Sequence, residues 1–339
     1  MTKALRVACV GAGYFSQFHL SSWARIKDVE VAGVADTRMA AAQATGYAAY
    51  GDTRAMLRAA KPDILDIILP PAAQAAAIDL ALDAGVRTII CQKPFCTSLK
   101  EAEDIAACAA QAQAHLIVHE NFRFMPWYRA IKAEIARGGI GDVHQAVFRL
   151  RPGDGQGPDA YLDRQPYFQQ MPAFLVHETA VHWIDTFRFL FGEPLSVYAD
   201  LRRLNPAIAG EDAGYILFEH EGGVRSVFDG NRHLDHASDN LRRTMGEALI
   251  EGTGGVLSLF GDGRVEKRVF GAATAEVLLP PDTWDGFGGD CVHAFQQHVI
   301  AGLRGEGAFE NEADAYCTVI RIRDAVYRSA QLGAKVDVT

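Results

Sequence analysis

Residues 5–36 constrain the fold of this chain more than any other stretch of its sequence. They begin with a short apolar run of strand length, residues 7–10, and continue through the turn Gly11-Ala12-Gly13-Tyr14-Phe15-Ser16 into a segment compatible with a helix. A second apolar run, residues 29–35, ends at Asp36. Strand, glycine turn, helix, strand and terminal acid together form a βαβ unit of the kind that can hold a dinucleotide.

The glycine turn is predicted to bind the pyrophosphate of that dinucleotide. Gly11 permits a turn too tight for a side chain, and Gly13 lets main-chain amides approach the phosphates closely. The amide groups and the positive end of the following helix attract the negative charge. Tyr14 and Phe15 continue the same turn and are predicted to border the cofactor, while Ser16 replaces the third glycine of the usual pattern.

Asp36 is the residue that predicts which dinucleotide is bound. It lies 23 positions after Gly13, where a carboxylate can accept hydrogen bonds from the adenosine ribose hydroxyls. The 2′-phosphate of NADP would face this negative charge, so NAD is the predicted cofactor and NADP is less favoured. Arg38, two residues later, softens this preference and is also predicted to lie beside the cofactor.

Length and charge limit the function classes. A chain of 339 residues suits two domains, and an apolar share of 49% is ordinary for a globular protein. The net charge of −9 gives no indication of a nucleic acid or an anionic membrane as partner. No apolar run approaches the roughly 20 residues that cross a bilayer, and the first strand leaves no room for a signal peptide. The predicted location is the cytoplasm.

The six cysteines stand at positions 9, 91, 96, 108, 291 and 317, without a C-x-x-C pair or a Cys/His spacing typical of a metal site. They are predicted to be reduced and mostly buried thiols, and no metal is predicted. Cys91 and Cys96 flank Lys93, which leaves a redox role as a minor alternative.

Up to about residue 124, strands alternate with helices of 10 to 17 residues. This alternation predicts a parallel sheet covered on both faces, and therefore a dinucleotide-binding domain over residues 1–124. Ligands of such sheets lie beyond the carboxyl ends of the strands. Gly11, Asp36, Pro70, Lys93 and Asn121 are all predicted to fall at such ends.

The pattern changes after residue 124. Residues 125–339 combine short strands and hairpin turns with predicted helices at 127–137, 172–191, 284–301 and 312–332. This region is predicted to be a second α/β domain, with an antiparallel or mixed sheet and helices on one face.

Lys93 is the first candidate catalytic residue. It follows a buried strand and precedes Pro94, at the crevice where the nicotinamide is expected. A lysine there can hydrogen-bond a substrate hydroxyl and stabilise developing negative charge on its oxygen. The alternative is a surface lysine on a loop between strand and helix.

A second candidate lies in the predicted helix 172–191. At about 100° per residue, Glu178, His182 and Asp185 share one helix face. His182 is the natural proton acceptor near neutral pH; Glu178 can hold a substrate hydroxyl, and Asp185 can orient the imidazole. One alternative is a solvated polar face. A metallohydrolase is the other, but His177 and His182 are five residues apart, a spacing unsuited to shared metal ligation.

Several motifs together resemble the Gfo/Idh/MocA family, the glucose-fructose oxidoreductase and inositol dehydrogenase group. The matching segments are the glycine turn, Leu69-Pro70-Pro71, Gln92-Lys93-Pro94, Asn121-Phe122-Arg123-Phe124-x-Pro126, Glu178-x-x-x-His182-x-x-Asp185 and the ending around residues 325–333. The resemblance implies a Rossmann domain followed by an α/β domain with an open, predominantly antiparallel sheet. It also implies a homodimer or homotetramer formed through that sheet.

The resemblance further implies residue roles. Lys93 matches the catalytic lysine, His182 the histidine that assists proton removal, and Glu178 the acid that contacts substrate. Asn121 and Arg123 match residues near cofactor and substrate. Gln92, expected beside the cofactor, stands where the family has glutamate, and Glu178 where it has aspartate.

The chain is therefore predicted to be an NAD-dependent dehydrogenase that oxidises a hydroxyl of a sugar, cyclitol or sugar acid. His182 takes the proton and Lys93 polarises the same oxygen. Weaker candidates for the pocket wall are Arg151, Tyr161, Tyr167, His177 and Trp284. Two alternatives remain, a cofactor-binding sensor or scaffold without turnover, and an NAD-using hydrolase or lyase that oxidises its substrate transiently.

Overall fold

The computed structural model of this chain describes residues 4–284 and 286–338. They form two compact units. The first contains the residues up to Glu120 together with Val292–Ile320, and the second contains Asn121–Cys291 and the residues from Arg321 onward. The predicted division placed residues 292–320 in the second domain. In the structure Val118 N donates to Asn311 O at 2.8 Å and Asn311 Nδ2 donates to Glu120 O at 2.9 Å. No local sequence pattern reveals such a long-range connection.

The first unit contains a parallel sheet. Its strands, in the residues described, are β1 (Leu5–Val10), β2 (Val29–Ala35), β3 (Ala49–Tyr50), β4 (Ile64–Ile67), β5 (Thr88–Gln92) and β6 (His115–His119). Their spatial order is β3-β2-β1-β4-β5-β6, which is the order of a dinucleotide-binding Rossmann sheet. The predicted doubly wound sheet is confirmed.

Helices alternate with these strands, and side-chain caps help to fix where they begin. Further helices lie later in the sequence. The α-helices are α1 (Ser16–Trp23), α2 (Met39–Ala44), α3 (Thr53–Ala60), α4 (Pro71–Asp83), α5 (Leu99–Gln111), α6 (Pro126–Ala136), α7 (Val181–Phe191), α8 (Cys291–Leu303) and α9 (Ala313–Leu332). Asp52 caps α3 by accepting from Ala55 N at 2.7 Å, and Ser98 caps α5 by accepting from Glu101 N at 3.2 Å. Among the described residues, no helix is long and apolar enough to cross a membrane.

The second unit contains a mixed sheet. Its strands are β7 (Val143–Leu150), β8 (Pro194–Arg202), β9 (Ala213–His220), β10 (Arg225–Asn231), β11 (Gly246–Gly252), β12 (Gly255–Leu259), β13 (Val265–Val269), β14 (Glu276–Leu279) and β15 (Val336–Asp337). Their order is β14-β13-β12-β11-β7-β10-β9-β8-β15. β7 and β10 run parallel, and the other described pairs run antiparallel. The predicted second, mostly antiparallel sheet is confirmed.

Helix α7 packs on one face of this sheet through aromatic rings. The Trp183 ring lies 4.3 Å from Phe148 and 5.4 Å from Phe228, and Phe187 lies 5.9 Å from Phe218. These residues are all buried. Because buried aromatic area contributes strongly to stability, α7 and its side chains are held firmly against the sheet.

The predicted helix 284–301 begins later than expected. Trp284, Gly286, Gly288, Gly289 and Asp290 have φ values between 39° and 73°, a left-handed backbone that excludes an α-helix. Helix α8 therefore starts at Cys291. Asp285, which belongs to the predicted helix, lies outside the described residues.

Candidate active site

The glycine turn has the geometry that a pyrophosphate requires. Gly11 has a φ of +99°, and a side chain there would place its Cβ 2.3 Å from Ile68 O. A Cβ on Gly13 would meet nothing within 4 Å among the described residues, so the backbone on this side is open to a ligand. Ser16 donates from Oγ to Gly13 O at 2.6 Å and closes the turn at the start of α1.

Asp36 is held as a carboxylate at the end of β2. Its two oxygens accept hydrogen bonds from Ala12 N and Arg38 N, each at 2.8 Å. Partial burial raises the pKa of this carboxyl, but the two amide bonds and the charge of Arg38 outweigh it and leave the pKa below its ordinary value. Arg38 Nε lies 3.5 Å from Asp36 Oδ1. An ionised acid at this place fits the ribose of NAD.

The other predicted cofactor residues lie in different surroundings. Tyr14 is exposed in the glycine turn, and Phe15 packs at 5.2 Å against Phe18 in α1. Pro70 is exposed directly before α4. Asn121 belongs to the second unit, where it is buried and donates from Nδ2 to Cys291 Sγ at 3.0 Å.

Lys93 stands directly after β5, in a turn fixed by buried side chains. Its main-chain N–H donates to Gln92 Oε1 at 2.8 Å, and the Lys93–Pro94 peptide bond is cis. Gln74 of α4 donates from Nε2 to Gln92 O at 2.8 Å and to Pro94 O at 3.1 Å, and accepts from Cys96 N at 2.8 Å. Sequence reasoning did not identify Gln74. A lone amide among the alanines of α4 was its only signal.

The predicted single helix over residues 172–191 is wrong, and so is the helical wheel based on it. Residues Leu175–Ala180 form a π-helix, in which Val181 N–H bonds to Val176 O five residues earlier, and α7 starts only at Val181. A π-turn contains more residues than an α-turn, so the angle between Glu178 and His182 is not that of an α-helix. Helical π-turns are frequent at functional sites.

Glu211 binds the start of the π-helix. Its Oε1 accepts from Phe174 N at 3.1 Å and from Val176 N at 3.0 Å, and Tyr327 donates its hydroxyl to the same oxygen at 2.7 Å. His177 N in turn donates to Tyr327 Oη at 3.2 Å. The carboxylate thus binds amides that a helix start leaves without partners. Both Glu211 and Tyr327 are distant in sequence and were not predicted.

His182 is buried in α7, and its ring stacks on Phe122 with centroids 3.7 Å apart and planes at 4°. Thr186 donates from Oγ1 to His182 O at 2.8 Å. The aromatic contact fixes the plane of the imidazole. Glu178, in the π-helix, is half-buried, so its carboxylate retains access to solvent.

Arg123 forms a bidentate ion pair with Asp185. Its Nε and Nη2 donate to the two carboxylate oxygens at 2.8 and 2.6 Å, and Asp185 is fully buried. Arg188 Nη1 lies 3.8 Å from the same carboxylate. This bidentate pair ties the short turn Phe122–Phe124 to α7. The orientation of His182 by Asp185 stays a prediction.

Tyr161 and Arg151, predicted for the pocket wall, are engaged in internal pairs. Tyr161 is 3% exposed; it accepts from Arg232 Nε at 2.7 Å and donates to Asp154 Oδ1 at 3.1 Å. Arg151 donates to Asp229 Oδ2 at 2.6 Å. Both side chains therefore have internal partners, and their contact with a substrate stays a prediction.

The three remaining pocket candidates differ. Tyr167 is exposed. Partial desolvation is the main cause that raises its pKa to about 12, and the nearby charge of Glu178 acts in the same direction. His177 Nδ1 lies 3.2 Å from Arg323 Nη1, so that nitrogen is placed to accept a hydrogen bond. The Trp284 ring packs edge-on against buried Trp127 at 5.5 Å. Of these three, Tyr167 lies near the charge of Glu178, and its place beside the substrate stays a prediction.

The two units thus carry different chemical groups. The first holds an open glycine turn, an ionised Asp36 and a lysine after β5, which define a dinucleotide-binding domain. The second holds an imidazole on an aromatic platform and a carboxylate in a π-turn, which are groups suited to proton transfer.

Comparison with known proteins agrees with these features. Residues 5–120 match the Gfo/Idh/MocA model described as "Oxidoreductase family, NAD-binding Rossmann fold", and residues 128–258 match the Gfo/Idh/MocA C-terminal domain. A D-apiose dehydrogenase of Paraburkholderia graminis is 33% identical over 99% of this chain and 90% of its own length. A D-apiose dehydrogenase of Rhizobium rhizogenes is 28% identical over 98% of this chain and 97% of its own.

A solved structure is also similar. An oxidoreductase from Agrobacterium radiobacter, crystallised with NAD⁺, L-tartaric acid and magnesium, superposes with a TM-score of 0.89 at 27% identity, over 99% of this chain and 98% of that one. This chain belongs to the Gfo/Idh/MocA oxidoreductase family. The predictions of the family, of an oxidoreductase acting on CH–OH groups and of NAD as cofactor are confirmed.

The thiols provide a first prediction. Cys108 is exposed, whereas the other five cysteines are buried. Burial, and then the charge of Glu101, raises the pKa of Cys96 to about 12, so at pH 8 it carries almost no thiolate. We expect Ellman's reagent to modify one thiol rapidly in the native protein and none in Cys108→Ser. Rapid modification of any thiol in Cys108→Ser would contradict this and would support a redox role for Cys91 and Cys96.

Proposed function

We propose that this chain is an NAD-dependent dehydrogenase of a sugar, cyclitol or sugar acid, with Lys93, His182 and Glu178 as the residues that handle the substrate hydroxyl. The observation that supports it most strongly is the Lys93 turn. It follows β5 in a domain whose Gly13 and Asp36 fit NAD, and buried Gln74 fixes its main chain. A positively charged group on so rigid a support is suited to stabilising negative charge on an oxygen.

Each residue has a defined part in this proposal. Gly11, Gly13 and Asp36 hold the cofactor, which when bound supplies the hydride acceptor. Lys93 donates a hydrogen bond to the substrate oxygen and stabilises its developing charge. His182 accepts the hydroxyl proton, and the Phe122 ring keeps the imidazole plane fixed. Glu178 binds a neighbouring hydroxyl, because a half-buried carboxylate is a strong acceptor for O–H donors.

The substrate class rests on the relatives. Two of them act on D-apiose, a third is an inositol 2-dehydrogenase, and the similar crystal structure contains L-tartaric acid. All these compounds carry adjacent hydroxyl groups on a compact skeleton. We propose D-apiose as the first compound to test, since its dehydrogenase from Paraburkholderia graminis matches 99% of this chain. The cytoplasmic location is part of the same proposal.

A substrate panel with two cofactors tests the function. We expect NADH formation, followed at 340 nm, with at least one of D-apiose, myo-inositol, an alkyl glucoside and L-tartrate. Because Asp36 is ionised, NAD is expected to give a kcat/KM at least about tenfold above NADP, and Asp36→Ser should reduce that ratio. Equal values with both cofactors would contradict the role of Asp36. Absence of NADH with every compound would favour a sensor or a transient oxidation.

We also propose that the open face of the second sheet joins two copies of this chain. One apolar row crosses five strands in register, from β8 to β11, with each residue opposite the next. Its members are Tyr198, Leu217, Val227, Val147 and Leu249, all exposed or half-buried. A contiguous apolar stripe on an exposed sheet face marks an interaction surface. A second copy is the occupant that a self-complementary stripe of this kind fits.

Leu217→Arg tests the proposed dimer. A buried charge without a partner costs several kcal/mol in an interface, so the variant is expected to elute as monomer in size-exclusion chromatography with light scattering. Leu332→Arg is the matched control, because Leu332 is 65% exposed and lies outside the row. An unchanged mass for Leu217→Arg would show that the sheet face is not the interface.

A further inference from the structure

A chain of buried polar side chains in the first unit ends at the Lys93 turn. His19 Nδ1 lies 2.8 Å from Asp66 Oδ2, and Trp23 Nε1 donates to the same oxygen at 2.8 Å. Gln92 Nε2 lies 3.2 Å from His19 Nε2, and Gln92 Oε1 accepts from Lys93 N. His19, Trp23 and Asp66 are 0% exposed, and Gln92 is 9% exposed.

The directions of the hydrogen bonds from Lys93 through Gln92 and His19 to Asp66 can be assigned by starting at Lys93. A main-chain N–H can only donate, so the Gln92 atom facing Lys93 is the amide oxygen. The amide nitrogen of Gln92 therefore faces His19 and donates to Nε2. That nitrogen must carry a lone pair, so the proton of the neutral imidazole is on Nδ1, where it is donated to Asp66.

We propose that His19, held by Asp66, is a positioning residue that fixes the Gln92–Lys93 turn and, through it, the amine of Lys93. This inference rests on the proposed role of Lys93. His19 touches neither the main chain of Lys93 nor a reacting group, and it acts through Gln92. Asp66 fits this role, because a carboxylate in an apolar strand is costly to bury unless donors satisfy it.

The residue at position 92 and the protonation of His19 are coupled. An ionised glutamate has no hydrogen to donate, so with Gln92→Glu as a carboxylate the imidazole donates from Nε2 while still donating from Nδ1 to Asp66. His19 would then be doubly protonated between two carboxylates. The other titratable groups around this cluster are His119, whose ring lies 4.1 Å from His19, and the thiols of Cys9 and Cys91. Burial is the main cause that raises the pKa of each thiol well above its ordinary value.

Nitrogen NMR of the imidazoles tests the assignment directly. We expect the His19 ring of the NADH-free protein to show a protonated Nδ1 and an unprotonated Nε2, and Gln92→Glu to protonate both nitrogens. His19→Asn identifies the resonances. A wild-type ring protonated on Nε2 alone would overturn the proposal, whether or not the protein turns over a sugar.

Two replacements of His19 separate positioning from packing. The amide of asparagine can occupy the place of imidazole Nδ1, so His19→Asn keeps a donor for Asp66 and loses the contact with Gln92. The amide of glutamine reaches the place of Nε2, so His19→Gln keeps an acceptor for Gln92 and loses the bond to Asp66. We expect His19→Asn to lower kcat about tenfold with an unchanged Kd for NADH, and His19→Gln to retain more of the activity.

The controls distinguish this inference from the proposed function. His115, whose Nδ1 lies 2.8 Å from Glu312 Oε1 in the same unit, is a histidine paired with a carboxylate at the surface, and His115→Asn is expected to keep wild-type kcat. An active wild type with full activity in His19→Asn would overturn the positioning role and leave the dehydrogenase intact. Greater loss in His19→Gln than in His19→Asn would assign His19 to packing around Asp66, also against the proposal.

Discussion

Lys93→Met is expected to lower kcat by about 10²-fold or more while leaving the affinity for NADH unchanged. Methionine has a similar length but can neither donate a hydrogen bond nor carry charge, so stabilisation of the substrate oxygen is lost. The main-chain bonds of the turn to Gln92 and Gln74 do not involve the replaced atoms. Steady-state kinetics and fluorescence titration with NADH measure the two quantities separately.

Lys100→Met provides the matched control for that experiment. Lys100 lies in α5, the helix that follows the Lys93 turn, and its amine is exposed and paired with Asp104 at 2.7 Å. Its loss is expected to leave kcat unchanged, since exposed pairs contribute little. Near wild-type turnover in Lys93→Met would remove lysine from the mechanism and leave proton transfer to the second unit alone.

Arg123→Met is expected to destabilise the protein by roughly 3–5 kcal/mol, because it breaks a buried pair and leaves the Asp185 carboxylate without its bidentate partner. Asp185 is fully buried, and Arg188 at 3.8 Å is the more distant of its two arginines. Urea denaturation followed by circular dichroism measures the change. The prediction contrasts with a substrate role for Arg123, which would raise KM without loss of stability.

The double variant Arg123→Met/Asp185→Leu tests the cause of that loss. Removing both charges leaves no uncompensated carboxylate, so much of the stability is expected to return. Asp104→Asn, in an exposed pair, should change stability by less than about 1 kcal/mol. If the double variant is as unstable as Arg123→Met alone, the effect comes from packing over Phe189 and not from the buried charge.

The first unit was largely predictable because its signals are local. Gly11, Gly13 and Asp36 act within one βαβ unit, and strand ends position ligands in every parallel sheet. Lys93 could be identified for the same reason. His19, Asp66 and Gln74 escaped notice because their partners lie far away in sequence. The acid in the apolar run Ile64-Leu65-Asp66-Ile67 was the one signal that a buried donor must exist.

The second unit was predicted less well because its site depends on remote contacts. An α-helical wheel cannot reveal the π-turn, whose first amides are bound by Glu211 and Tyr327 from distant parts of the sequence. The same limit explains why the sequence did not reveal the internal partners of Arg123 and Tyr161, which were predicted to lie near the substrate. Their partners, Asp185 and Arg232, became apparent only when strands and helices were brought together.

The central claim is that hydride passes from a substrate carbon to NAD while protein residues accept the hydroxyl proton. Incubation with a sugar deuterated at the oxidised carbon, followed by mass spectrometry of the nicotinamide product, tests it most directly. The proposal predicts that NADH carrying one deuterium accumulates with turnover, and that Lys93→Met slows its appearance. Accumulation of a modified sugar with no deuterium in released NADH would contradict a net dehydrogenase.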